Sequence, residues 1–355
     1  MKANDRSNYS PPLGGAGGGL LRFLKNWTLP VAIAVGTVCY LLFALTPSLD
    51  AAGDALLPFF ETLLPLTIFL TLFVTFSKVD FHLMRLHRWH FFILLAQLIL
   101  VALITLLILH LSTSTLPGEA VHPAPTGEGP GEGLSGVKLL MEAVLVCMIA
   151  PCAAASPVVT AKLDGDLAQM TAFVLLSALV GSLLIPAVFP IVEPTHDLAF
   201  MTAFLTILKR IAPVLLLPLL LGAIVRHWVR PLYCYFMRTP DIGFYIWSVS
   251  LAITSGLTVR NIIHSHASAV LLTCIAVLTL LTALVQFRIG RFVGNIVGET
   301  VCTGQAMFQK NTGLAIWIAY VYLTPEASIG AGCYVLWQNI INSWELWQHR
   351  KRLTR

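Results

Sequence analysis

From Trp27 to Gln348 the chain is a series of apolar runs, each close to 20 residues long, separated by short stretches of charges, prolines and glycines. A helix needs about 20 apolar residues to cross the hydrocarbon core of a bilayer. Lipid offers the backbone no hydrogen-bond partners, so an apolar run that crosses it alone has to be helical. Of the 355 residues, 57% are hydrophobic and 11% charged, against roughly 25% charged in a water-soluble domain. That apolar content suffices for roughly ten crossings and leaves no room for a sizeable soluble domain. The chain reads as an all-α membrane protein.

Where charges and Pro/Gly clusters interrupt the runs, ten transmembrane helices are expected at about 27–47, 56–77, 89–111, 137–163, 167–192, 198–225, 242–259, 267–287, 299–323 and 327–348. Residues 1–26 read as a disordered cytoplasmic tail, 27–196 as the first five spans, 197–348 as the second five and 349–355 as a basic cytoplasmic tail. Lys and Arg gather on the cytoplasmic side of short loops. With both termini inside, 17 of the 22 basic residues fall inside, four (Lys138, Lys209, Arg210, Arg260) fall outside, and Lys310 lies within a span. An odd number of spans would put one terminal basic cluster outside. Lys209 and Arg210 suggest an amphipathic interfacial helix over 198–211, with the sixth span starting near Ile211; the alternative is one long tilted helix whose basic side chains snorkel outwards. The net charge of +5 then reflects cytoplasmic loops and not a nucleic-acid partner.

Two spans carry helix breakers and polar groups at mid-depth, where lipid tolerates neither unless they line a cavity or meet protein. In the fourth, Pro151 and Pro157 bracket Cys-Ala-Ala-Ala-Ser, and each proline removes a backbone donor and frees an earlier carbonyl. The ninth holds Gly304, Gln305, Gln309, Lys310, Asn311, Thr312 and Gly313. These are the fourth spans of two five-span sets, and five is odd, so the second set runs in the opposite sense: two inverted repeats. Paired interrupted helices at matching positions mark a transporter's midplane site. The helix-breaking residues are read as Pro151, Pro157, Gly304 and Gly313. The solute- or ion-binding residues are read as Gln97, Ser156, Thr160, Thr171, Gln305, Gln309, Lys310, Asn311 and Thr312. A lysine at the centre of an inserted helix costs roughly 2.5–3.5 kcal/mol, so Lys310 is expected to face the central cavity.

Other features carry less chemistry. The seven cysteines read as packing residues, and His264 and His266 as a solvated loop. Asn339 and Asn342 are expected to brace the ninth span by interhelical hydrogen bonds. There is no HExxH, no GxSxG and no phosphate loop. No catalytic residue, metal site or cofactor is expected, and an intramembrane enzyme or a membrane-embedded sensor is the weaker reading.

With Gln97 in LLAQLIL, APCAAASPVVTAKLDGD across the fourth and fifth spans, and QKNTGLA in the ninth, the chain resembles the bile acid:sodium symporter family in its wider bacterial sense. The resemblance runs from about Trp27 to Trp347. It implies a core domain of spans three to five and eight to ten, in which the broken helices cross. It also implies a panel domain of spans one, two, six and seven that rocks against the core. The work implied is secondary transport of a small organic anion, with sodium, in a bacterial inner membrane; homodimerisation is left open. Gln97 matches a glutamine that helps one sodium site, Ser156 a family serine, Thr171 a fifth-span hydroxyl and Gln309 a family glutamine. Asn311 matches the family asparagine if Lys310 is an insertion.

The departures bear on coupling. Gln305 stands where the family has an acidic residue, and Pro157 where it has asparagine. Losing the carboxylate and gaining Lys310 changes the local charge by about two units. Two unit charges 4 Å apart interact by about 4 kcal/mol at an effective dielectric near 20. Sodium is therefore disfavoured beside Lys310, whose ammonium is expected to stand where relatives hold the ion. The carrier is then expected to be sodium-independent or to use one sodium ion rather than two; a proton-coupled variant, in which desolvated Lys310 titrates, is the alternative.

Overall fold

The computed structural model describes residues 28–78, 85–113, 130–193, 199–239, 242–265 and 267–353. The N-terminal tail and His266 lie outside these. Among the described residues there are thirteen helices and no strand. The first seven are α1 (Thr28–Leu45), α2 (Pro47–Lys78), α3 (Arg88–Thr113), α4 (Pro130–Ile149), α5 (Ser156–Lys162), α6 (Leu167–Val192) and α7 (Phe200–Trp228). The others are α8 (Arg230–Arg238), α9 (Ile242–Ile263), α10 (Ala269–Val297), α11 (Thr300–Phe308), α12 (Thr312–Tyr322) and α13 (Pro325–Leu353). Within this set, α2 from Ala55 onward, α3, α6, α7, α9 and α10 are long and apolar enough to cross a membrane.

The expected fourth and ninth spans are each two helices, α4 with α5 and α11 with α12, separated by short non-helical stretches. Prolines inside α2, α6 and α7 do not end those helices; membrane helices tolerate proline in their interiors.

Contacts divide the helices into two groups. In one, α9 lies along α1 and α2, and α2 lies along α7. In the other, α4 packs on α3, α10 and α13, while α11 packs on α10, α3, α5 and α6. The groups meet where α6 touches α7, α2 touches α12, and α9 touches α12 and α13. Burial of the apolar window distinguishes centre from periphery: 61% in α6 against 22% in α7.

Close approach of α10 to α11 depends on Gly290, where a Cβ would lie 2.4 Å from the Thr303 carbonyl oxygen. Gly36 plays the same part between α1 and α9: a Cβ there would lie 1.9 Å from the Ala252 oxygen. Small residues at such positions are how helices in lipid, lacking a hydrophobic drive toward one another, gain dispersion contact.

Two expectations are corrected here. Lys209 and Arg210 do not belong to a separate interfacial helix: α7 runs unbroken from Phe200 to Trp228 and carries both as exposed residues. Long basic side chains can bury their methylene stems and extend the charge outward, so the helix continues through them. The chain also forms the short helix α8 between α7 and α9, where only a basic connection was expected. Its buried Phe236 packs against Val74 and Val225.

Candidate functional site

The two helix breaks lie against each other. Cys152 and Lys310 form an antiparallel bridge, flanked by two backbone hydrogen bonds. Ala153 N donates to the Gln309 oxygen at 2.9 Å, and Asn311 N donates to the Pro151 oxygen at 2.8 Å. Each unwound stretch thus satisfies groups that its own helix has released, as buried backbone requires.

Side chains complete that accounting. Ser177 Oγ on α6 accepts from Cys152 N at 2.8 Å, and Gln338 Oε1 on α13 accepts from Lys310 N at 2.7 Å. Gln97 Nε2 on α3 donates to the carbonyls that end α4, at 3.0 Å to Met148 and 3.2 Å to Ala150. Tyr334 Oη on α13 donates to the Phe308 oxygen, the end of α11, at 2.7 Å, and accepts from Gln286 at 3.0 Å. On the far side of the break, the Asn311 carboxamide oxygen accepts from Leu314 N at 3.2 Å and so caps α12.

Lys310 is 1% exposed, and its ammonium has no hydrogen-bond partner among the described residues. The titratable groups facing it are the thiols of Cys152 and Cys147. The amide of Gln309, the oxygens of Gln97 and Gln305 and the hydroxyl of Thr160 are likewise buried without partners.

A cavity of about 420 Å³, its mouth included, opens where the two helix groups meet. Ala153, Ala154 and Lys310 to Gly313 line one wall; Thr71 on α2 and Trp247, Ser250 and Thr254 on α9 line the other.

The sequence-derived residues therefore fall into two sets. Lys310, Asn311 and Thr312 reach the cavity. Gln97, Ser156, Thr160, Thr171, Gln305 and Gln309 are buried outside its lining. Ser156 Oγ accepts from the Cys152 thiol at 3.2 Å, and Gln305 donates to Glu345 at 2.7 Å. Thr171 donates to the Leu167 oxygen of its own helix at 2.6 Å.

The break itself differs from expectation. Pro151 lies in it, but Pro157 stands in the first turn of α5, where its missing N–H costs nothing and its fixed φ suits the helix. Gly304 lies inside α11 and Gly313 inside α12, so neither breaks a helix. Gly304 instead lets α10 approach: a Cβ there would lie 3.0 Å from Arg291 Nε. Asn339 donates to Val335 in its own helix at 2.9 Å, so Gln338 and Tyr334, not the Asn339 and Asn342 pair, join α13 to the broken span.

The residues of α2 and α9 were missed. Their signal was hydroxyls at four-residue spacing inside apolar runs, Thr67, Thr71 and Thr75 in one and Ser250, Thr254 and Thr258 in the other.

A family model, that of the SBF-like CPA transporter family, matches residues 32–341. The chain belongs to that family. It is a bile acid:sodium symporter-like transporter family, in agreement with the resemblance carried by Gln97, the fourth-span prolines and QKNTGLA. This member is accordingly an integral membrane protein of a transporter family. No curated protein matches its sequence.

Proposed function

We propose that the protein is a secondary carrier of a small organic anion, working by alternating access. Ten spans in two inverted repeats, with both termini on the cytoplasmic side of a bacterial inner membrane, make up this reading. The group of α1, α2, α7 and α9 would rock as the panel against a core of the remaining long and broken helices. The observation that carries it is the Lys310 ammonium. It is buried with no acceptor among the described residues, beside two interlaced helix breaks, in the wall of the cavity between the groups. A buried charge is tolerated only when it is paired, and an anion entering the cavity supplies the missing partner.

Sodium fits this arrangement poorly. The oxygens of Gln97, Gln305, Gln309 and Thr160 that have no partner among the described residues are uncharged ligands for a cation. The buried carboxylate closest in the bonding network, Glu345, is already engaged by Arg291 and Gln305. In this reading Lys310 takes the place of a coupling sodium ion.

The test is uptake of radiolabelled organic anions into proteoliposomes with and without a sodium gradient. Uptake independent of sodium and lost in Lys310→Met is expected. Uptake abolished by removing sodium overturns the substitution, and uptake unchanged in Lys310→Met overturns the placement of that residue in the site.

A further inference from the structure

Helix α8 joins α7 to α9, two helices long and apolar enough to cross a bilayer, so it lies at one membrane face. Its nine residues extend about 14 Å, too short to cross a hydrocarbon core of about 30 Å. Buried Phe236 packs on Val74, one turn before the end of α2, and on Val225 near the end of α7. That contact holds α8 beside the ends of two spans, at the level of the headgroups and not out in water.

The helix has two faces. At about 100° per residue, Arg230, Cys234 and Arg238 fall on one side, and Leu232 and Phe236, which pack towards α2 and α7, fall on the opposite one. Two neighbouring cations are taken up within the protein. Arg226 donates to the Lys78 oxygen and Lys78 to the Thr239 oxygen, both at 3.4 Å, and the Arg226 guanidinium lies over the Tyr233 ring at 5.4 Å. Arg230 and Arg238, by contrast, are exposed and make no ion pair or side-chain hydrogen bond among the described residues. From Leu198 to Pro240 the chain holds no Asp or Glu. Beside the two arginines, Trp228, Tyr235 and Met237 are 79%, 52% and 51% exposed.

We infer that this face of α8 docks anionic phospholipid headgroups, whose phosphates lie against Arg230 and Arg238. The planar guanidinium presents a fork of donors that matches phosphate oxygens. Exposed aromatic and apolar side chains interspersed with arginine suit the boundary between headgroups and acyl chains. A nucleic acid or an acidic protein would meet the same charges, but neither would cover Trp228 and Met237 at the level of the lipid. The site belongs to the group of α1, α2, α7 and α9 through its contacts with α2 and α7, and it shares no residue with the cavity. Its effect is to fasten that group to the leaflet.

The test is native mass spectrometry of the purified full chain in neutral detergent, titrated with dioleoylphosphatidylglycerol, dioleoylphosphatidylcholine or inorganic phosphate. The first phosphatidylglycerol should bind at least about fivefold more tightly than phosphatidylcholine, the effect of one basic residue at an anionic surface. Inorganic phosphate at the same concentration should leave no adduct. Arg230→Gln, Arg238→Gln should bring the preference below about twofold. Arg230→Lys, Arg238→Lys keeps the charge and should keep most of the preference; it serves if the glutamine variant does not fold. Lys209→Gln, Arg210→Gln removes the same charge from the other half of α7 and should leave the preference intact. Equal binding of the two lipids, an unchanged preference in the folded glutamine variant, or its loss in the lysine variant overturns the inference. An equal fall in the Lys209, Arg210 variant shows a response to net charge alone and overturns it too, and phosphate bound as tightly as phosphatidylglycerol overturns the lipid as its source. Uptake is not measured, so failure here leaves the carrier reading standing.

Discussion

Gln338 on α13 accepts a 2.7 Å hydrogen bond from the backbone N–H of Lys310, in the gap between α11 and α12. The break in the chain is thereby held by a side chain 28 residues away. Gln338→Leu keeps the volume and removes the acceptor, leaving a buried N–H unsatisfied at a cost of about 1–3 kcal/mol. A lower melting temperature of the purified protein in detergent is the expected outcome; an unchanged melting curve would show that another group takes over the N–H.

Lys310→Met separates stability from transport. The ammonium has no hydrogen-bond partner among the described residues, and removing an uncompensated buried charge in favour of an apolar chain of similar length relieves its desolvation cost. The variant should melt at or above the temperature of the parent protein while anion uptake is lost. Thermal denaturation followed beside uptake checks both halves.

Glu345 ties three helices together at one end of the broken span. It is 6% exposed, pairs with Arg291 on α10, and accepts from Gln305 on α11 at 2.7 Å. Truncating one member of a buried charge pair costs up to about 3–5 kcal/mol. The Arg291 side chain is 32% exposed, so water screens part of that and about 1–2 kcal/mol is expected for Glu345→Gln. A double-mutant cycle with Arg291→Gln should return a coupling of that size.

The helix contacts at Gly36 and Gly290 leave no space for a methyl group, because each built Cβ lies under 2.5 Å from a backbone oxygen of the facing helix. A backbone atom cannot rotate away as a side chain can. Gly36→Ala and Gly290→Ala should each cost at least about 1–3 kcal/mol, as overpacking does. Reduced yield of folded protein on size-exclusion chromatography would report it.

Asp166 precedes α6 and caps it, accepting from Ala168 N at 2.8 Å and from Gln169 N at 3.0 Å. The Gln169 N–H, first among several donors, holds its carboxyl below the usual carboxylate range. A depressed folded-state value means that the stabilisation is complete above the unfolded value of about 3.9 and is lost as pH falls through the lower folded value. Asp166→Ala should cost about 1 kcal/mol at neutral pH, and the gap between variant and parent should close under acid conditions. Asp166→Asn should retain most of the cap; melting temperatures measured across pH test both variants.

Much of the architecture was legible because lipid restricts what a chain can do. Apolar runs have to be helical, and polar groups within them have to meet protein or a cavity. The pairing of 151–157 with 305–313 followed from those rules, as did the placement of Lys310 at the cavity. The local cause of each break was not legible. Pro157 opens α5, and Gly304 serves the approach of α10, because a residue's helix-breaking tendency yields to the contacts it makes once folded.

What the sequence determined by itself was the helical state, the membrane setting and the two stretches unable to remain helical in lipid. These depend on composition and periodicity within about 20 residues. What only the tertiary structure decided was which distant side chains receive the freed backbone groups and which wall completes the cavity. Gln338, Tyr334, Thr71 and Thr254 lie far along the chain from the residues they serve, or on the other helix group. Hydrogen-bond partners are chosen by packing, and packing depends on how whole helices fit, which no local run of residues encodes.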